Sequence, residues 1–384
     1  KRIARLRSRD FLEDASLLSP ANFAVDFALC PEQVITDYIR RLIEFPEALQ
    51  VLNFAKGRVS LVAVRAYEGG LLVGKQIKEM RELLPIGMDA RIAAIFRGDQ
   101  PVFPEGETRV EAGDEVFLLA AAEHIRPVLR QLRRMTTPVQ RIMIAGGGNV
   151  GLRVAKSLEK RYEIKLIEGR KERAEFIANE LDRSLVLLGD ATDEDLLEQE
   201  NIAEMDLFLS LTNDDEDNIM AGNLAKRLGC KRVVALINRR AYAEMIEGGP
   251  IDIGISPAQV SIGTLLAHVR QGDVAEVHSL RRGAAEALEL VAHGDPKTSK
   301  VIGKRIDEID WPHGVTVAAL VRNFDTAVIV GQTDDWTAIT RHGEVVIAHH
   351  DTVIQPDDHV IVFCTRKKLV KKVEKLFQVS FHFF

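Results

Sequence analysis

Continuous apolar runs separated by stretches of helical periodicity organise the second half of the chain. Arg141-Ile142-Met143-Ile144-Ala145 runs into three glycines, and residues 152–158 continue at helical spacing. Further apolar runs cover residues 162–167, 184–188, 206–211, 232–237 and 251–255, with helix-length stretches between most of them. Runs without polar alternation suit strands buried on both faces, and strand–helix alternation predicts a parallel, doubly wound α/β sheet.

The same pattern exposes an internal repeat. Ala4-Arg5-Leu6 matches Ala235-Leu236-Ile237, and Cys30-Pro31-Glu32-Gln33-Val34 matches Ser256-Pro257-Ala258-Gln259-Val260. Each of the latter pair opens a helix with proline at its first position. Gly74-Lys75-Gln76-Ile77 then matches Gly303-Lys304-Arg305-Ile306, and residues 93–97 match 318–322. Both copies close on an Asp (Asp114, Asp358), an apolar strand and a basic amphipathic helix. The second copy carries an extra stretch containing Asp334, Asp335 and Trp336, expected to be a surface loop or an added hairpin. Residues from about 140 to 229 have no counterpart ahead of Lys1. The expectation is a chain trimmed at its start, with the front of its first copy missing.

Composition narrows the class. The 384 residues are 46% hydrophobic and 28% charged, with a net charge of -6, a globular balance without the basic block of a nucleic-acid binder. No apolar run reaches the roughly 20 residues of a membrane-spanning helix, and no signal-peptide pattern opens the chain. Cys30, Cys230 and Cys364 are odd in number and far apart, which predicts buried thiols in a reducing compartment rather than a disulfide framework.

The candidate chemistry lies at the glycines. Gly146-Gly147-Gly148-Asn149-Val150-Gly151 fits G-x-G-x-x-G between a strand and a helix. Gly146 permits the tight turn, Gly148 lets backbone approach a phosphate, and Gly151 lets helix and strand pack closely. The helix start then presents N–H groups and a dipole to an anion. Glu168 ends the next strand, about 20 residues on, where an acid binds the ribose hydroxyl pair and favours NAD or an adenine nucleotide over NADP. The third strand ends in Gly189-Asp190-Ala191-Thr192 and the fourth in Thr212-Asn213-Asp214-Asp215. Ligands of open parallel sheets bind outside these carboxyl ends, so Asp190, Ala191, Thr212 and Asn213 join the candidates.

A dinucleotide fold does not imply hydride transfer. The tyrosines have no lysine at Tyr-x-x-x-Lys spacing, no Cys/His set has zinc spacing, and His349-His350-Asp351 lies in a turn-like stretch. Acids 214–217 at a helix start suit the dipole as well as a metal. The duplication favours a sensor that shifts between arrangements. No catalytic residue and no metal ligand is therefore assigned.

These residues carry a family likeness. Residues 141–151, Lys165-Leu166-Ile167-Glu168, Gly189-Asp190-Ala191-Thr192, Asp206-Leu207-Phe208 with residues 212–216, and Ser279-Leu280-Arg281-Arg282-Gly283 together resemble the TrkA family. Its members are cytoplasmic regulatory subunits of bacterial Trk potassium uptake, built from RCK (KTN) domains with a small TrkA-C half. The resemblance implies a remnant Rossmann-like half at 1–47, a TrkA-C domain at 48–135, a complete Rossmann-like half at 139–272 and a second TrkA-C domain at 273–384. It implies a homo-oligomeric, tetrameric ring at the inner face of the cell membrane, beneath a potassium-translocating subunit. NAD(H), ATP or ADP would act as allosteric ligand. Residues 146–150 would hold the phosphates, Glu168 the ribose, and Thr212 and Asn213 the base or ribose. Arg5 would belong to a first site, with Arg7 as helper, and Leu236 stands at the matching place in the second copy. The alternatives are an RCK subunit of another cation transporter and an NAD-dependent oxidoreductase.

Overall fold

A computed structural model describes residues 2–7, 15–19, 21–46, 48–98, 100–132, 138–246, 249–269, 274–280, 284–324, 326–330, 337–341 and 343–379. In chain order the first copy contributes β1 (Ile3–Arg5), α1 (Ala15–Leu18), β2 (Phe27–Leu29) and α2 (Pro31–Glu44). Next come β3 (Ala48–Phe54), β4 (Val59–Arg65), α3 (Met80–Leu83), β5 (Ala90–Arg97), β6 (Gln100–Val102), β7 (Glu115–Ala121) and α4 (Ala122–Leu132). The second copy begins with β8 (Arg141–Ala145), α5 (Asn149–Leu158), β9 (Glu163–Glu168), α6 (Lys171–Glu180), β10 (Leu185–Leu188) and α7 (Glu194–Gln199). It continues through β11 (Leu207–Ser210), α8 (Asp215–Arg227), β12 (Val233–Leu236), α9 (Arg240–Met245), β13 (Ile253–Ile255) and α10 (Pro257–Val269). Last are β14 (Val274–Leu280), β15 (Ala285–Val291), β16 (Val315–Arg322), β17 (Thr326–Val330), β18 (Thr337–Arg341), β19 (Glu344–Ile347), β20 (His359–Cys364) and α11 (Val370–Phe377).

Two compact units form, and each takes one stretch from each copy: residues 1–46 with 136–262, and residues 47–135 with 263–384. In the first unit β10-β9-β8-β11-β12-β13 make one sheet, with every pairing parallel. Numbered within the sheet, that order is the 3-2-1-4-5-6 of a dinucleotide-binding fold, and its direction reverses between β8 and β11. The central strands are buried along their length because helices cover both faces; Ile142, Met143, Ile144, Phe208 and Leu209 are all fully buried. Gly222 lets α8 lie against the sheet, since a Cβ there would stand 3.1 Å from Val233 Cγ1.

The same unit holds a second, two-stranded parallel sheet, β1-β2. Ile3, Ala4 and Arg5 pair with Phe27, Ala28 and Leu29. In β12–β13, Val234, Ala235 and Leu236 pair with Ile253, Gly254 and Ile255. A further bond extends each pair alike: Leu6 N–H donates to Leu29 O and Ile237 N–H to Ile255 O, both at 2.8 Å. Arg5 and Leu236 thus occupy matching strand ends.

The second unit contains two antiparallel five-stranded sheets of matching order, β3-β4-β7-β5-β6 and β14-β15-β20-β16-β19. Even their irregularities coincide: register shifts fall at Ala48/Gln50 and Val274/Glu276, and again at Ile92/Ala94 and Val317/Ala319. Gly74 and Gly303 adopt φ of +80° and +76° at equivalent turns, a region that favours glycine. The extra stretch of the second copy supplies the hairpin β17–β18; Asp334, Asp335 and Trp336 lie outside the described residues. All three cysteines are buried and unbridged.

A buried aspartate anchors each of these sheets, with different partners. Asp114 is 1% exposed and accepts from Arg97 Nε at 2.9 Å, Arg97 Nη2 at 3.0 Å and Glu111 N–H at 2.8 Å. Asp358, equally buried, accepts from Gln355 N–H at 2.8 Å, but Arg322 Nε stands 3.6 Å away. Burial consequently raises the Asp358 carboxyl above its ordinary pKa. Charge-assisted bonds are worth about 1.5–3 kcal/mol each way they are lost. Asp114→Asn is therefore expected to cost about 2–3 kcal/mol and Asp358→Asn distinctly less, read as shifts in the urea unfolding midpoint.

Candidate functional site

The glycine turn sits where the parallel sheet reverses direction, between the carboxyl ends of β8 and β11. Gly146 has φ of +100°, and its N–H donates to Ile167 O at 2.9 Å. A Cβ on Gly146 would lie 2.9 Å from Thr212 N. On Gly151 a Cβ would lie 1.9 Å from the carbonyl oxygen of Gly146, so glycine alone lets α5 start against the turn. Gly147 is equally constrained: a Cβ would meet Ile177 Cδ1 at 2.2 Å and Glu168 Oε2 at 2.9 Å. At Gly148 nothing lies within 4 Å of a Cβ position, so that glycine faces open space rather than protein.

Helix α5 begins without a protein cap. Its N-cap is Gly148, no side chain accepts from its first turn, and no acidic residue lies there. Helices α7 and α8 differ: Asp193 caps α7, Asp214 caps α8, and both have acids in the first turn, whereas α6 shares the missing side-chain cap but has Glu172 in its first turn. The N–H groups and the dipole at the start of α5 therefore remain available to an anion. Asn149 is exposed and Val150 half-buried beside that opening.

Glu168 is tied to the turn. It is 8% exposed, its Oε2 accepts from Gly147 N–H at 3.0 Å, and its Oε1 accepts from Arg170 N–H at 3.0 Å. Each carboxylate oxygen keeps further lone pairs, so the group can still accept from a diol. The flanking arginines turn towards protein atoms: Arg170 Nε lies 3.4 Å from Glu168 Oε1, and Arg173 Nε donates to Gly147 O at 2.8 Å while lying over the Phe176 ring.

On the β11 side the sequence reading missed the organising residue. Asn218, on α8 and 0% exposed, accepts through Oδ1 from Thr212 N–H at 2.9 Å, Thr212 Oγ1 at 2.8 Å and Ser210 Oγ at 3.1 Å. Its amide donates to Thr212 O at 3.1 Å and Leu236 O at 2.8 Å. One buried amide thus fixes the ends of both β11 and β12. Asp215, 3% exposed, does similar work three positions earlier on the helix, accepting from Asn238 N–H and Arg239 N–H, each at 2.7 Å. Both lie in the first turn of α8, three residues apart, where sequence reads them only as polar residues suited to a helix start. Asn213 is exposed next to Thr212.

The rim beyond is acidic. Asp190 is held below the ordinary aspartate pKa by donation from Thr192 N–H and then from its hydroxyl, both at 2.8 Å. Burial, then the charges of Asp214, Asp190 and Glu216, raise the Asp217 carboxyl. Ala191 is half-buried beside Asp190. The structure brings the glycine turn, Glu168 and Thr212 into direct contact. Arg5 instead stands exposed on the separate β1–β2 sheet. Among the described residues no group of three His, Cys, Asp or Glu side chains could hold a metal ion.

Comparison with known proteins follows this geometry. A family model described as the TrkA-N domain matches residues 142–257, and one described as the TrkA-C domain matches residues 61–133. The Trk system potassium uptake protein TrkA of Vibrio alginolyticus is 50% identical over 380 residues, covering 99% of this chain and 79% of that protein. Its counterpart from Halomonas elongata is 48% identical over 383 residues, with 100% and 79% coverage. A crystal structure of the GsuK RCK domain matches with a TM-score of 0.52 at 18% identity, covering 98% of this chain and 74% of that one, a likeness of fold.

Two outcomes test the roles of these residues. Gly151→Ala should cost about 1–3 kcal/mol through overpacking, whereas Gly148→Ala should leave the unfolding midpoint within about 0.5 kcal/mol of the parent. Because the folded Asp190 pKa is lowered, its contribution to stability is whole above the unfolded value near about 3.9 and lost as pH falls through the folded value. Thr192→Val should shrink that loss: its denaturant midpoint should fall less than the parent's between neutral pH and pH about 2.5.

Proposed function

The chain belongs to the TrkA family of Trk-system potassium uptake proteins, and from that premise we propose that it senses a nucleotide and gates potassium uptake by a membrane partner. The observation that carries this reading is the uncapped start of α5 behind Gly148, beside Glu168, at the reversal point of the sheet. An anion placed there would meet first-turn N–H groups and the positive end of the helix dipole. Gly146, Gly147, Gly148, Asn149 and Val150 hold its phosphates, and Gly151 keeps the helix close enough to do so. Glu168 accepts the ribose hydroxyl pair. Thr212, Asn213, Asp190 and Ala191 line the adenine or second-ribose side. The ligand class is NAD(H) or an adenine nucleotide, ATP or ADP. Arg5 serves the corresponding site of the first copy.

Regulation rather than catalysis is supported by the sequence of the site-bearing unit. Residues 1–46 and 136–262 contain no histidine. Cys230, in the core beneath the six-stranded sheet, has its thiol pushed by burial to about 11, which keeps it protonated and unreactive at neutral pH. A hydride-transfer reaction would need a proton donor or acceptor close to the nicotinamide.

The organisation follows the duplication: Rossmann-like halves at 1–47 and 139–272, TrkA-C domains at 48–135 and 273–384. A homo-oligomeric ring, tetrameric, under a potassium-translocating subunit at the inner membrane face would convert ligand binding into gating, because only differential affinity for two arrangements can shift their balance. No nucleic-acid partner is part of this reading.

Titration with NADH, NAD, ATP and ADP, followed by calorimetry and by absorbance, tests it. Saturable binding that Glu168→Arg abolishes is expected, without oxidation of NADH, and Gly148→Val should weaken binding at least about tenfold by occupying the space a phosphate needs. Potassium uptake that responds to nucleotide in the parent and not in Glu168→Arg completes the case. Turnover of NADH, or uptake whose control survives that substitution, overturns it.

A further inference from the structure

The glycine-loop helix of the second copy is bonded to the first copy one turn below its start. Arg153 lies four residues after Asn149 on α5, about 6 Å along the helix axis. Its Nη2 donates to Arg7 O at 3.1 Å, and its Nη1 stands 3.4 Å from Cys30 Sγ. Cys30 is 3% exposed and is the N-cap residue of α2; its Sγ lies 3.6 Å from Glu32 Oε2 and 4.0 Å from the same Arg7 oxygen. Helix α2 itself packs along α5. One guanidinium therefore ties together the segment leaving β1 and the segment entering α2.

The register explains why that segment matters. Arg5 ends β1 as Leu236 ends β12, so Arg7 takes the place that Asn238 takes in the second copy. In the second copy this post-strand segment is held by Asp215 of its own helix α8, through Asn238 N–H and Arg239 N–H. In the first copy Arg153 holds it, and Arg153 belongs to the other copy. A planar fork with fixed donor geometry suits that task, since it can bridge a carbonyl and a thiol at once. Rigid secondary elements are among the carriers of coupling between sites. Any displacement of the α5 start towards a bound phosphate is thus carried to Arg7, and with it to the strand end bearing Arg5.

We propose that Arg153 is a positioning residue that couples occupancy of the glycine loop to the Arg5–Arg7 segment of the first copy. The proposal rests on the nucleotide reading of that loop and adds the route by which one copy reports to the other. Physical adjacency alone does not establish coupling; a measured dependence of one place on the ligand of the other does.

Cys30 provides the reporter. The full protein would be treated with a small maleimide with and without saturating NADH, and adduct formation at Cys30 followed by peptide mass spectrometry against the unmodified Cys30 peptide. NADH affinity would be measured in parallel by calorimetry. In the parent, NADH should change the Cys30 rate about fivefold or more, the low end of ordinary site–site coupling. Arg153→Gln should still unfold in one cooperative transition and still bind NADH saturably, yet lose the NADH effect on Cys30. Arg153→Lys, which retains the charge without the fork, should restore it in part. NADH that binds while leaving Cys30 unaffected in the parent overturns the coupling, as does an undiminished effect in Arg153→Gln. Absence of binding heat with NADH, NAD, ATP and ADP alike overturns the nucleotide reading, and the coupling falls with it.

Discussion

The first unit depends on a crossing in which there is no room for a side chain. The carbonyl of Gly146 occupies the position a Cβ of residue 151 would need, and the Cβ of residue 147 is excluded by Ile177 and Glu168. That steric constraint sets how near α5 comes to β8, and so where its free N–H groups point. The Glu168 carboxylate converts the same closeness into a bond, taking the Gly147 N–H that a less tightly wound turn would leave to water. Hydrophobic burial of the central strands supplies the bulk of the stability, while the glycines and Glu168 decide the geometry at the carboxyl end of β8.

Buried polar side chains repeat that division of labour elsewhere. Asn218 satisfies the backbone of two strand ends and two hydroxyls with a single amide, and Asp215 does so for the segment after β12. Each would be costly if left unpaired and is therefore informative where it is paired. Together they hold the β11 and β12 ends in fixed relation to α8. That side of the glycine turn is accordingly fixed by bonds within the protein.

Duplication shaped the second unit differently. The two small sheets agree in strand order, in the positions of their register shifts and in their left-handed glycines, features that side-chain divergence leaves intact because they belong to the backbone. Their buried aspartates have drifted, one held by a bidentate arginine and the other by a more distant one. Backbone devices thus outlast the ionic partners placed upon them.

The sequence by itself determined the existence of the repeat, the parallel sheet and the glycine turn, because each has a short-range physical signature: a period, an unbroken apolar run, a required absence of Cβ. Glu168 was legible for the same reason, lying at a strand end at a fixed distance from that turn. Arg5 could be matched to Leu236 because both stand at the same place in the repeat, Ala4-Arg5-Leu6 against Ala235-Leu236-Ile237. Tertiary structure alone decided the rest. Asn218 and Asp215 read in one dimension as unremarkable polar residues of a helix; only burial against two strand ends gives them their partners. Arg153 likewise looks like a solvated helix cation until α2 is packed beside it. That each compact unit gathers like pieces from both copies, instead of following chain order, was also beyond sequence, since it depends on which faces match across more than a hundred intervening residues. Local sterics write themselves into neighbouring residues, whereas long-range polar pairing is specified only once the chain has brought distant groups together.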